Sequence, residues 1–175
     1  GLLYHLAHEG WTDTLLIEKG ELTSGSTWHA AGLVPNFIGS LNMAKVHAYG
    51  IDLYKALEAE TGMSTGWHGC GAIRLAVTED QADWYRYVQG VLGSLGVESH
   101  LISPDEVRQR VPLMGSTDDI ILGFWTPNDG WSDPTGSTNA MAVGARQLGA
   151  EIARHTLVTA VDQLPDERWK VTTDK

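Results

Sequence analysis

Thr14-Leu15-Leu16-Ile17 is a short run of strand-forming residues that ends in an acid, Glu18, and passes into a loop rich in Gly, Ser and Thr. This junction constrains the fold more than any other stretch. A buried-looking strand with a carboxylate at its C-terminal end, followed by a Gly/Ser loop, is how dinucleotide-binding folds hold a ribose and then a pyrophosphate. His29 lies a few residues into that loop, in the run Ser24-Gly25-Ser26-Thr27-Trp28-His29-Ala30-Ala31-Gly32-Leu33. There it is close enough in sequence to reach a bound cofactor.

Upstream, residues 2–9 fit a helix with Leu3, Leu6 and Ala7 on one face, and Gly10 is placed to end it. In a Rossmann half such a helix follows a first strand and a G-x-G-x-x-G turn, with the acid about 20 residues past the fingerprint. Counting back from Glu18 puts that turn just before Gly1, so a fragment of a longer chain is expected, with the first strand and phosphate turn cut off. Residues 169–173 likewise read as a strand at or near the far end.

The chain has 175 residues and a formal charge of −10. It is long enough to bury a core. The acidic balance argues against nucleic-acid binding, which calls for a basic face, and against docking on anionic membranes. No apolar run approaches the roughly 20 residues of a membrane helix. The single cysteine, Cys70, excludes an internal disulfide framework and fits a reducing compartment. Between two glycines it reads as a small packing residue. His5 and His8 are spaced for a metal on one helix face, but no Cys or carboxylate cluster accompanies them, so no metal site is expected.

Periodicity predicts a helix from about 41 to 60 with Val46, Tyr49, Leu53 and Leu57 as its buried stripe. A strand over 72–77 follows. Thr78 with Gln81 is a capping box, opening a helix to about Leu95 with Trp84, Val88, Val91, Leu92 and Leu95 inward. Ser103-Pro104-Asp105-Glu106 starts a short helix. Residues 120–125 are strand-like, and Asn128-Asp129-Gly130 is a turn. Asp133-Pro134 opens a helix to about Leu148, with Met141, Ala142, Ala145 and Leu148 on one side. Residues 151–155, 158–163 and 169–173 read as strands. Helices and strands interleave, which predicts a two-lobed α/β chain.

The run from Glu18 to Leu33 resembles the flavin-attachment segment of the dimethylglycine/sarcosine dehydrogenase and oxidase family, flavoproteins of the glycine/D-amino-acid-oxidase type. Leu3-Tyr4-His5-Leu6-Ala7 with Gly10-Trp11-Thr12-Asp13 resembles the stretch after that family's glycine fingerprint. Gly71-Ala72-Ile73-Arg74-Leu75-Ala76 resembles the first strand of its substrate domain. Asp129-Gly130, Asp133-Pro134 and Gly149-Ala150 resemble its return to the nucleotide domain. The resemblance implies an α/β fold in which an FAD-binding Rossmann-like domain, lacking here its first strand and glycine turn, is interleaved with a mixed α+β substrate-domain segment. Residues 1–38 would open the FAD domain, 39–127 would belong to the substrate domain, and 128–175 would return.

The same resemblance implies roles. Glu18 would bind the ribose hydroxyls of FAD, with Lys19 by the adenosine. Ser26 and Thr27 would meet the pyrophosphate and the flavin side chain. His29, beside Trp28, matches the histidine that bonds covalently to the flavin, and Leu33 would lie near the flavin ring. Val158 matches the position whose backbone contacts adenine. The implied reaction is oxidative demethylation of an N-methylated small amino acid such as dimethylglycine or sarcosine. Oxygen or an electron-transfer flavoprotein would be the acceptor, in a bacterial cytoplasm or a mitochondrial matrix. The family's substrate-side catalytic residues fall beyond this chain, so no catalytic residue is named and the fragment alone is expected to be inactive. Two competing readings are a non-catalytic regulatory homologue of the same fold and an NAD-binding dehydrogenase, for which Glu18 alone would serve.

Overall fold

The computed structural model describes residues 1–116 and 118–175. In chain order the described elements are α1 Leu2–His8, β1 Leu15–Ile17, a 3₁₀ turn Thr27–His29, β2 Leu33–Val34, α2 Leu41–Thr61, β3 Ala72–Ala76, α3 Glu79–Gly93, β4 His100–Ile102, α4 Pro104–Arg110, β5 Leu122–Thr126, β6 Gly130–Trp131, α5 Pro134–Gln147, β7 Glu151–Ala153, β8 Val158–Gln163 and β9 Trp169–Thr173. The fold is mixed α/β. The chain groups into two compact units.

The first unit comprises Gly1–Ala31, Ala56–Gly66 and Asp133–Lys175. Its centre is a parallel pair, with Leu15, Leu16 and Ile17 of β1 opposite Glu151, Ile152 and Ala153 of β7. A parallel pair needs a long crossover, which here includes α5. Asp133 caps α5 by accepting from the backbone N–H of Thr135 and of Gly136, each at 3.0 Å, and Pro134 takes the first helical position, where no N–H is needed. Helix α1 buries Leu3, Tyr4 and Ala7. It packs on α5 where Gly144 leaves room: a Cβ there would come within 2.8 Å of the Tyr4 ring. Tyr4 also donates to Glu60 at 2.6 Å, and the His8 ring meets the other oxygen of that carboxylate at 2.7 Å. Strands β8 and β9 form an antiparallel hairpin in which every residue of β8 is exposed.

The second unit comprises Gly32–Lys55 and Trp67–Ser132. Strand β5 lies between β3 and β4, antiparallel to both. One face carries the core, in which Ala44, Ala76, Ala82, Val88, Leu92 and Phe124 are fully buried. The rings of Phe37 and Phe124 meet edge to face at 5.1 Å, and the Arg74 guanidinium lies 4.5 Å over Phe37. On the other face Gly123 lets α4 and β4 close in, since a Cβ there would lie 2.6 Å from Val107 and 2.8 Å from Ile102. The capping box predicted at Thr78 forms, and the helix start predicted at Ser103 is closed by a capping box as well.

Three packing expectations change. In α2, Val46 and Tyr49 are 60% and 54% exposed, while Ala44, Ile51 and Leu57 are buried. Val46 is two residues from Ala44, about 200° around the helix. The stripe chosen from large apolar side chains therefore lies nearly opposite the one the second unit buries. Helix α2 is divided between the units, contributing residues to Lys55 to one and from Ala56 to the other, so a single amphipathic period does not describe it. In α3, Val88 and Leu92 are buried as expected and Val91 and Leu95 pack against the same core, but Ala82 and Tyr85 join them and Trp84 is 47% exposed and stacks on Tyr87. In α5, the buried face is Gly136, Ser137, Ala140, Gly144 and Ala145, and Leu148 is exposed. At Ala44 in α2, Ala82 in α3 and Gly144 in α5 a small residue takes a buried place, while Val46, Trp84 and Leu148 are left outside. Cys70 is likewise exposed rather than packed.

Candidate cofactor site

In the first unit the site is one continuous loop hung on the end of β1. The Glu18 N–H donates to Ala153 O at 2.8 Å, which extends the β1–β7 ladder by one step. The Glu18 carbonyl accepts from Thr156 N–H at 3.0 Å. Its side chain turns over its own loop, with Oε1 accepting from Gly20 N–H at 2.7 Å. The other carboxylate oxygen has no partner among the described residues. Lys19, next along, is exposed.

The loop then tightens. Thr23 adopts a positive φ of 71°, uncommon for a residue with a side chain. Ser24 returns to Glu21 O through both its N–H, at 3.2 Å, and its hydroxyl, at 2.8 Å. Ser26, exposed, opens the 3₁₀ turn by accepting from His29 N–H at 3.1 Å, and Ala30 N–H donates to Thr27 O at 3.1 Å. The Ser26 hydroxyl caps nothing within the turn. This turn presents Trp28 and His29 outward. Trp28 is 61% exposed, and its ring lies over that of His29 with centroids 3.9 Å apart and planes tilted by 30°. The His29 ring nitrogens have no hydrogen-bond partner among the described residues.

Glu18, Lys19, Ser26, Thr27, Trp28 and His29 thus belong to one loop of the first unit, with α5 packed against its 3₁₀ turn. Val158 is in the same unit, at the start of β8 beside a register irregularity. Leu33 falls in the second unit, on β2 opposite Trp131, and is 74% exposed.

A group of residues outside the sequence reading meets this loop. Glu21 accepts from Arg154 Nη1 at 2.6 Å on one oxygen and from His155 Nε2–H at 2.8 Å on the other. Those bonds hold the Glu21 carboxyl below the usual carboxylate range, the His155 hydrogen bond contributing most and Arg154 adding to it. Their sequence separation exceeds 130 residues, so no local pattern marks them.

Two features of this loop are compatible with FAD. Ribose hydroxyls need a carboxylate oxygen that is not already engaged, which Glu18 has. A bond to the flavin needs an accessible imidazole nitrogen, which His29 has. Among the described residues no group of three or more His, Cys, Asp or Glu side chains could hold a metal ion, and no helix is long and apolar enough to cross a membrane.

The sequence profile of the family described as FAD dependent oxidoreductase matches residues 1–175. The chain belongs to that family. It is 41% identical over 172 residues to dimethylglycine dehydrogenase, mitochondrial, of Rattus norvegicus, which covers 98% of this chain and 20% of that protein. It is 35% identical over 166 residues to sarcosine dehydrogenase, mitochondrial, of Homo sapiens, covering 94% of this chain and 18% of that one. A pyruvate dehydrogenase phosphatase regulatory subunit, mitochondrial, of Mus musculus is 34% identical over 98% of this chain and 20% of its own length. The chain therefore spans about a fifth of the length of these curated relatives. Among solved structures, L-proline dehydrogenase from P. horikoshii superposes with a TM-score of 0.86 at 26% identity, over 99% of this chain and 45% of that one.

Proposed function

We propose that the protein containing this chain is an FAD-dependent amine oxidoreductase that demethylates an N-methylated small amino acid such as dimethylglycine or sarcosine, with the flavin bonded covalently to His29. The observation that carries this reading is His29 itself, exposed on a 3₁₀ turn with no competing hydrogen bond, in a family that uses FAD. When bound, the flavin supplies the two-electron oxidation of the C–N bond.

The chain's own residues bind and orient. Glu18 accepts ribose hydroxyls, and Lys19 lies by the adenosine. Ser26 and Thr27 offer hydroxyl and backbone donors to the pyrophosphate and the flavin side chain. Trp28 stacks on His29 and limits the orientations of its imidazole. Leu33 borders the flavin ring and the Val158 backbone meets adenine. Residues 1–38 and 128–175 serve the FAD domain and 39–127 the substrate domain. Three relatives bear mitochondrial names, which supports a mitochondrial matrix; in a bacterium the setting is the cytoplasm. The acceptor is oxygen or an electron-transfer flavoprotein.

The test is acid precipitation of the full-length protein followed by peptide mapping. Flavin retained in the pellet on the peptide carrying His29, and lost from the pellet in His29→Ala, is expected. Flavin wholly in the supernatant of the unaltered protein would end the covalent assignment.

A second reading, a regulatory homologue without turnover, is favoured by the likeness to the phosphatase regulatory subunit. A flavin that is not reduced by any N-methyl amino acid under anaerobic conditions would select it.

A further inference from the structure

We propose that Glu21, Arg154 and His155 form an ionic clamp that positions the Glu18 carboxylate for the ribose of the cofactor. This rests on the reading of Glu18 as the ribose ligand. Glu18 must hold its free oxygen at a fixed place, yet it lies one residue past a three-residue strand and leads straight into a loop. Its own side-chain bond reaches only to Gly20. Something outside the loop has to fix Gly20.

The connection between β7 and β8 does this. Thr156 N–H donates to Glu18 O at 3.0 Å, and His155 N–H approaches Gly20 O at 3.4 Å. His155 sits at a φ of 53°, in the left-handed region that a side chain adopts at some cost. From there its imidazole and the Arg154 guanidinium close on the two oxygens of Glu21. The clamp therefore ties the far side of the Glu18 loop to the connection that leads into Val158, the residue assigned to adenine.

The clamp does not hold the fold. Its side chains are 47% to 58% exposed, and exposed ion pairs contribute little to global stability. What it can set is the position of a loop that the core does not reach. Glu21, Arg154 and His155 are positioning residues and touch no reacting atom.

The test uses the full-length protein in a His29→Ala background, so that its flavin can be removed. ADP and 2′,3′-dideoxy-ADP are the probes. The readout is the ratio of their dissociation constants, which reports the ribose hydroxyls alone. We expect ADP to bind about 10-fold more tightly than the dideoxy analogue, the worth of a charge-assisted hydrogen bond. Glu18→Gln should bring the ratio near 1. Glu21→Gln should lower it to about 3, with the unfolding midpoint unchanged, and the charge swap Glu21→Arg with Arg154→Glu should restore part of it. A ratio unaffected by Glu18→Gln overturns the ribose reading and the clamp with it. A ratio that collapses in Glu18→Gln but stays at the unaltered value in Glu21→Gln overturns the clamp alone.

Discussion

Asp129 in the second unit and Glu18 in the first both lie one residue outside a strand, and both accept a backbone N–H. Beyond that they differ. Asp129 is 1% exposed. Its Oδ1 accepts from the Asn36 N–H at 2.9 Å and from the Asn36 side chain at 3.0 Å, and its Oδ2 accepts from the Thr126 hydroxyl at 2.6 Å. Its backbone carbonyl takes the Gly71 N–H at 2.7 Å. Each carboxylate oxygen is committed to the protein. Glu18 commits one oxygen, to Gly20, and keeps the other. A buried carboxylate survives only when its bonds are complete, so Asp129 organises the loops of its unit and has nothing left to offer a ligand. A half-exposed carboxylate can leave a lone pair unused at small cost. Chemical availability follows from incomplete satisfaction at a wet site, and structural work from complete satisfaction at a dry one.

Substitution separates the two roles. Asp129→Ala removes the acceptor of the two buried Asn36 donors and leaves the Thr126 hydroxyl only the longer bond to Ala72 O at 3.3 Å, and a buried donor left unpaired costs about 1–3 kcal/mol. We expect a total loss of about 3 kcal/mol in chemical denaturation. A loss below about 0.5 kcal/mol, the range of ordinary surface changes, would show that this network is dispensable and erase the contrast. Glu18→Gln should do the reverse. Its effect on unfolding should stay within about 0.5 kcal/mol, while FAD affinity in the His29→Ala background falls about 10- to 150-fold, as for hydrogen bonds to a charged group. Equal damage to stability and to binding would mean that Glu18 is structural as well.

The same contrast explains what could be read from the sequence. The Glu18 loop was legible because strand, acid, Gly/Ser run and histidine are contiguous. The caps at Thr78, Ser103 and Asp133 were legible for the same reason, since each bonds within three residues. The buried face of α2 was not, and that of α3 was read only in part, since Val88 and Leu92 are buried as expected but Trp84 is not. Such faces depend on which neighbours approach, and Ala44, Ala82 and Gly144 mark those approaches only once the partners are known. Asp129 reads as one more turn residue until Asn36, 93 residues away, is seen to lie against it. Glu21 with Arg154 and His155 is hidden by distance in the same way.

Glu21 shares a feature with each, lying outside the core like Glu18 but with both oxygens engaged like Asp129, and its pH dependence tells which of the two it resembles. Its folded carboxyl lies below the ordinary value of 4.5, held there first by the His155 hydrogen bond and then by Arg154. A depressed folded value means that the ionised form is the one the fold favours, so the contribution is complete above the ordinary value and is lost as pH falls through the lowered one. Because the group is exposed, the effect on global unfolding is the smallest expected here. Hydrogen exchange at the amides of His155 and Thr156 reads it locally, through the two bonds that cross between the loops. At neutral pH, exchange at these amides should be faster in Glu21→Gln than in the unaltered protein, after correction for intrinsic rates. The two should converge as pH falls below about 4.5, where the carboxyl begins to gain its proton. A gap that persists unchanged to pH 3 would mean that Glu21 acts through packing rather than charge, and would place it with Asp129 as a structural residue.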